Sequence, residues 1–197
     1  MSKELMTDKL PESVEVGGHE YPINTDFRAG MGFELMIQNR ETDTFNLLSP
    51  FFGDKIPRDV EGALSAVELF YCCGSIPERR EKLDNKKQAY SFDVDKNAIY
   101  ADFWRFYNIN LWTSSLHWWM FRALLDGLPN ESEFRQRIYY RTVDLKNLSK
   151  REKERVSRIR KQIAIEDETR PKMTLEERNA AMKNYIARRA KETAGGG

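Results

Sequence analysis

Apolar and polar residues alternate in the segment VEVGGHEYPI, residues 14–23. Val14 and Val16 lie just before the pair Gly17-Gly18, and glycines accept the positive φ angles that a two-residue hairpin turn requires. The pattern predicts a β-hairpin, and this is the only β structure that we expect. An isolated hairpin is only marginally stable, so we expect it to pack against the helices that follow.

Helical spacing replaces this alternation from residue 26 onward. The periodicity predicts one helix over residues 26–38 and a second from Pro57 to about residue 73. Their apolar stripes are Phe27, Met31 and Leu35 in the first helix and Val60, Leu64, Val67 and Tyr71 in the second. The intervening segment contains Pro50 and Gly53, which predict a loop.

Many of the aromatic residues fall in a third predicted helix, over residues 95–107, and in a fourth close behind it. In the third helix, a rotation of 100° per residue places a broad apolar arc opposite Ala101, Asp102 and Arg105. The arc consists of Ile99, Tyr100, Phe103, Trp104, Phe106 and Tyr107. We therefore expect this helix to be half-buried.

The fourth helix, over residues 115–126, is apolar almost all round. One side carries Trp118, Phe121 and Leu125, and the opposite side carries Leu116, Trp119, Met120, Ala123 and Leu124. A helix that is apolar on both sides is enclosed by other elements. We expect one side to face a partner chain, with Trp118 at the contact if its side points outward and Trp119 in the core of the chain itself.

Three capping boxes mark further helix starts, at Asn130, Ser149 and Thr174, each with Glu three residues later. The chain is therefore predicted to be mainly α, with a compact helical domain, a short N-terminal β-hairpin and a C-terminal charged helical arm. The predicted boundaries are a flexible N-terminus at 1–9, the domain at 10–145 and the arm at 146–197.

The predicted arm differs from the rest of the chain in charge and in apolar content. Residues 141–197 carry 16 Lys and Arg against 9 Asp and Glu, whereas the preceding residues carry 16 against 22. The apolar stripe of the arm narrows to Val156, Ile159 and Ile163, so we expect the arm to pack either weakly on its own domain or strongly on another molecule. The basic run at 150–161 has its cations all round the helix and interleaved with Glu, so a solvated helix or an acidic protein partner is at least as well supported as nucleic acid.

Catalytic and metal chemistry have little support. The two histidines, His19 and His117, lack a second His one helical turn away and Cys at ligand spacing. Cys72 and Cys73 are adjacent, which disfavours a structural disulfide between them. We therefore expect no enzymatic activity, no metal and no cofactor, and a structural role for His117. No apolar run reaches the ~20 residues of a membrane span and the N-terminus lacks a secretory signal, so we expect a cytoplasmic location.

Three segments resemble a known family in their order and spacing. They are INTDFR (23–28), PRDVEGALSAVELFYCCG (57–74) and LHWW (116–119) followed by Phe121. The resemblance is to the gene-product-fifteen family of tailed-phage proteins and covers roughly residues 10–145. It implies a non-catalytic tail assembly chaperone, encoded beside the tape-measure protein, that binds that protein and recruits the tail-tube protein. It also implies a location in the host cytoplasm and absence from the mature virion.

Two hypotheses follow for the function. The first is binding to the tape-measure protein, with self-association, through Trp118, Phe121, Leu125, Val156, Ile159 and Ile163. The alternative is a nucleic-acid-binding phage regulatory protein that uses the basic C-terminal segment. We interpret INTDFR as structural, with Asn24 to Asp26 as helix caps and Arg28 available to pair with an acid.

Overall fold

The fold begins with two short strands and continues with seven helices in the part of the chain that the structure, a computed structural model, describes: residues 9–39, 41–75, 88–146 and 148–165. The elements are β1 (Ser13–Val16), β2 (His19–Pro22), α1 (Phe27–Gln38), α2 (Thr44–Phe52), α3 (Val60–Tyr71), α4 (Phe92–Tyr107), α5 (Trp118–Asp126), α6 (Glu133–Thr142) and α7 (Lys150–Gln162). The prediction of a mainly α protein with an N-terminal hairpin is confirmed. The predicted flexible start, the helix start at Thr174 and the end of the predicted arm lie outside the described residues.

The hairpin forms where the alternating pattern predicted it. β1 and β2 pair antiparallel, with Val16 opposite His19 across the turn. Gly17 and Gly18 have φ angles of 58° and 79°, which residues other than glycine rarely adopt. Val16 is buried, and β1 packs against α3, so the hairpin gains the helical support that it needs.

The segment that was predicted to be a loop contains α2, so this prediction is wrong. Asp43 caps the helix by accepting from the backbone N–H of Phe45. Pro50 lies in the last turn and has no N–H for the carbonyl of Asn46, but the Ser49 hydroxyl donates to that carbonyl at 3.0 Å. The helix therefore tolerates proline, and it buries Leu48, Phe51 and Phe52 in the core.

Trp118 lies at the centre of the core. Its indole ring stacks on Tyr71 with ring centroids 5.2 Å apart, and its Nε1–H donates to the Tyr71 carbonyl at 2.9 Å. Helix α1 approaches the ring at Gly30, where a Cβ atom would lie 2.3 Å from Trp118. Glycine is required at this position because any side chain would collide with the ring.

A buried ion cluster joins α4 to α6. Asp95 is fully buried and accepts two hydrogen bonds from Arg141, at 2.6 and 2.8 Å, and one from Arg137 at 3.1 Å. Burial alone raises the pKa of Asp95, but the Arg141 guanidinium, the Ser91 backbone N–H and Arg137 together hold that pKa below its usual value. The ionised carboxylate therefore contributes to the joint between the two helices.

Helix α7 is attached to α6 by arginine side chains that cap carbonyl groups. Arg160 donates to the carbonyls of Tyr140 and Val143, at 2.6 and 2.5 Å. Arg141 donates to the carbonyl of Ile163 at 2.9 Å. Cations at helix C-termini are favourable because the last carbonyls lack partners within the helix.

The boundary of the predicted arm at residue 146 differs from the structure. The compact unit extends to Ile165 and includes α7. Val156 is buried within this unit, although the narrow stripe around it suggested weak packing. The capping box that was predicted at Ser149 is present, with Ser149 and Glu152 satisfying each other's backbone N–H groups.

Candidate protein-interaction surface

The two most specific motifs of the sequence, INTDFR and LHWW, lie side by side. The backbone N–H of Phe27 donates to the carbonyl of Leu116 at 2.9 Å, and that of Trp118 donates to the carbonyl of Thr25 at 2.7 Å. This isolated bridge joins the start of α1 to the start of α5. Both helix starts are thereby fixed to one short piece of extended backbone.

His117 is the N-cap of α5. Its Nδ1 accepts from the Trp119 backbone N–H at 3.1 Å, so the ring proton resides on Nε2. Nε2 then donates to the Pro11 carbonyl at 2.9 Å. Because both ring nitrogens are engaged, His117 has the structural role that was predicted.

Asn24 binds carbonyl groups at the end of α2, whereas Asp26 caps the start of α1. The Asn24 backbone N–H donates to the carbonyl of Phe51 at 2.8 Å, and its side-chain amide donates to that of Pro50 at 3.2 Å. Asp26 accepts from the backbone N–H of Arg28 at 2.9 Å. The motif therefore connects the end of α2 to the start of α1.

Arg28 fixes the loop that precedes α5. It pairs with Asp26 through two hydrogen bonds of 3.0 Å, as the expected acid partner. Its other terminal nitrogen donates to the carbonyls of Leu111 and Ser114, at 2.7 and 3.2 Å. Since these acceptors flank Trp112, the guanidinium holds the backbone on both sides of that residue in place.

Trp112 is 79% exposed, although its backbone is held in this way. Its ring centroid lies 6.1 Å from that of Tyr100 on α4. Trp104 follows Tyr100 by one helical turn and is 51% exposed. We call Tyr100, Trp104 and Trp112 the aromatic surface. Exposed large aromatic residues on a fixed backbone are typical of sites that bind other proteins.

Arg105 follows Trp104 in α4, but its guanidinium lies over the Phe106 ring, 5.1 Å from the ring centroid. Arg105 is exposed, and no carboxylate of the described residues lies within 4.0 Å of its guanidinium. The nearby acid of α4, Asp102, is buried and accepts from the backbone N–H groups of Glu133 and Phe134 at the start of α6.

The residues predicted to bind a partner lie elsewhere. Trp118 and Phe121 are completely buried, and Leu125 is 2% exposed. Trp118 was placed at the contact only if its side faces outward, and this condition is not met, because Gly30 of α1 and Tyr71 of α3 cover it. Trp119 is also buried, as its predicted core position required, and its Nε1–H donates to the Phe70 carbonyl at 2.8 Å.

The second group of predicted binding residues belongs to α7 and its C-cap. Val156 is buried, and Ile159 and Ile163 are half-buried. Arg160 of α7 and Arg141 of α6 each donate to a carbonyl of the other helix or its cap, so α7 is attached to α6. The buried part of the apolar stripe packs within this attachment. The structure does not bring these residues to the aromatic surface.

The two cysteines form no disulfide with each other. Cys72 and Cys73 are half-buried, and burial raises the pKa of the Cys73 thiol to about 11. No group of three His, Cys, Asp or Glu residues in the described part of the chain could hold a metal ion. The described helices are all too short or too polar to span a bilayer.

The fold and site define a mainly α protein that presents a fixed aromatic surface to solvent. A family model described as Bacteriophage Gp15 protein matches residues 6–165. The chain belongs to this bacteriophage family. No curated protein and no solved structure matches the chain.

Proposed function

We propose that the protein is a non-catalytic morphogenesis factor of phage tails, a tail assembly chaperone that binds the tape-measure protein and helps the tail tube to assemble. Membership of the bacteriophage Gp15 family supports a role in phage biology. The observation that carries the proposal further is the aromatic surface, where two tryptophans are more than half exposed. The proposed action takes place in the host cytoplasm before the virion is complete.

The aromatic surface suits a helical partner. An amphipathic helix binds through apolar residues that recur every three or four positions. Trp104 lies on the regular backbone of α4, and Trp112 lies on a loop that Arg28 holds rigid. Little ordering is therefore required when a partner binds, and buried Trp residues frequently dominate interface energies. A long helical tape-measure protein with an apolar stripe along its helix would provide such a partner for the two exposed rings.

Co-expression with the tape-measure protein of the same phage tests the proposal. Purified wild-type protein should retain the tape-measure protein in a pull-down, and Trp112→Ala should weaken the interaction by about 2 kcal/mol or more. The matched control is Phe45→Ala, which removes another exposed aromatic side chain, from α2, and should leave binding unchanged. Isothermal titration with the tape-measure segment that is retained gives the binding free energies.

Two outcomes would count against the proposal. Unchanged tape-measure binding by the double variant Trp104→Ala with Trp112→Ala would remove the aromatic surface from the interaction. Sequence-dependent binding to DNA or RNA near physiological salt, lost when the basic residues of α7 are neutralised, would favour the regulatory alternative.

A further inference from the structure

A groove runs between β1 and α3, away from the residues that form the aromatic surface. Its volume is about 250 Å³. The residues that line it are Pro11, Ser13, Val14, Glu15, Ala66, Leu69, Phe70, Gly74 and Trp119. Leu69 is 44% exposed at this groove, whereas Phe70 and Trp119 form a buried apolar floor. The groove thus combines a strand on one wall with apolar side chains on the other.

The strand presents its unpaired edge to the groove. The Ile23 backbone N–H donates to the Glu12 carbonyl at 3.1 Å, so these residues form a hydrogen-bonded pair of the antiparallel ladder. Hydrogen-bonded and non-hydrogen-bonded pairs alternate, which leaves Ser13 and Glu15 as members of non-hydrogen-bonded pairs. The position of Pro22, which lacks an N–H and lies opposite Ser13, agrees with this register.

The backbone groups of Ser13 and Glu15 therefore point away from β2. Among the described residues, neither backbone N–H donates to a backbone carbonyl. Two residues apart on one strand, these groups match the spacing of an added strand, whereas a helix has no free backbone groups along its length to pair with them. The edge thus selects an extended peptide.

The negative charge of Glu15 on β1 favours extended peptides that carry a positive charge. Glu15 is exposed, and no Lys, Arg or His nitrogen of the described residues lies within 4.0 Å of its carboxylate. Short strands and charged residues normally protect a sheet edge from pairing. The edge of β1 has both features, but it also borders an apolar groove in which Leu69 is 44% exposed.

We infer that this groove is a second binding site, which takes an extended segment of a partner protein as an added strand on β1. The segment has apolar side chains at alternate positions, which enter the groove at Leu69 and Phe70. It carries Lys or Arg beside them, which faces Glu15. This recognition mode differs from helix binding at the aromatic surface, so the two sites can hold different parts of a partner at once.

Fluorescence anisotropy with the full-length protein tests this inference. The probes are labelled short peptides in which Val alternates with Lys or Thr, compared with peptides of the same length that carry Glu for Lys or a central Pro. The Lys peptide should bind, and the Glu and Pro peptides should bind about tenfold more weakly or not at all, because they lack the charge match or the strand conformation.

Substitutions locate the bound peptide. Leu69→Asp, and Glu15→Pro, which removes an outward N–H without touching the ladder, should each weaken binding about tenfold or more. Ile37→Asp changes an exposed apolar residue on α1 and should have no effect. Trp112→Ala should also bind the peptide normally, which separates this site from the proposed function. Failure of the Lys peptide to bind, or equal binding by wild type and Leu69→Asp, would overturn the inference.

Discussion

The four tryptophans form two pairs with opposite environments. Trp118 and Trp119 are adjacent on α5, and their exposed fractions are 0% and 4%. Trp104 lies on α4 and Trp112 lies in the loop before α5, and both are more than half exposed. The pairs share residue type and a nearby position in the chain, so local composition does not decide which becomes core.

The difference between the pairs arises from the neighbouring backbone. Trp118 is enclosed because α1 contributes Gly30 at the point of contact and so approaches the ring closely. At Trp112, Arg28 binds the backbone carbonyl groups on both sides of the residue, and no helix of the described residues covers the indole ring, which is 79% exposed. Buried rings stabilise this fold, whereas exposed rings are available for a partner.

The largest expected effect distinguishes the pairs by stability. Trp118→Ala should lower the free energy of unfolding by about 3–5 kcal/mol, because it removes buried contacts and leaves a cavity. Trp112→Ala should change the free energy by no more than about 0.5 kcal/mol. Urea denaturation followed by far-ultraviolet circular dichroism measures both. Similar losses in the two variants would break the comparison.

The contrast between buried and exposed residues also applies to the acids Asp95 and Asp93 of α4. Asp95→Asn should cost about 3 kcal/mol at neutral pH, because it leaves buried arginine unpaired. Because the folded-state pKa of Asp95 is lowered, its contribution is present above the unfolded pKa of about 4 and is lost as pH falls below that value. The stability gap between wild type and Asp95→Asn should therefore narrow in acid.

Denaturation curves at neutral and acidic pH measure this gap. Asp93→Asn is the control, because Asp93 lies two residues away in an exposed ion pair with Lys96. That substitution should cost no more than about 1 kcal/mol. A gap that stays constant on acidification would contradict the assignment of an ionised, paired Asp95.

The smallest effect tests the close approach of α1. Gly30→Ala should destabilise the protein by about 2 kcal/mol, since the new methyl group would collide with the Trp118 ring. Gly32→Ala, in the same helix but with open space around it, should stabilise by about 0.5–1 kcal/mol. Thermal melting of the two variants should give shifts of opposite sign. Shifts of the same sign would mean that α1 is not packed as described.

Most helices were predictable because periodicity and capping chemistry agree in them. The capping box at Ser149 and the glycine pair of the hairpin gave the right local structure. Helix α2 was missed because Pro50 and Gly53 are typical of loops. Pro50 is compatible with the last helical turn only because the Ser49 hydroxyl satisfies the carbonyl that proline leaves free. A helical pattern does not reveal that compensation.

The candidate site was less predictable than the fold. Periodicity shows that both sides of α5 are apolar, but it does not show whether α1 and α3 or another chain covers the Trp118 side. Trp112 carried a usable signal, since it is a lone tryptophan in the polar run NINLWTSS between two helices. The role of Arg28 in holding that loop depends on a contact across 83 positions of sequence.

The bridge between INTDFR and LHWW also constrains how the chain folds during synthesis. Asp26 accepts from the Ser115 hydroxyl across 89 positions. At synthesis rates of about 5–20 residues per second, the first motif exists for roughly 5–20 s before its partner is made. During that interval the face of α1 around Phe27 and Gly30 has no Trp118 to cover it. Incomplete chains that end before α5 should therefore expose apolar surface and aggregate, whereas chains that include α5 can close the core.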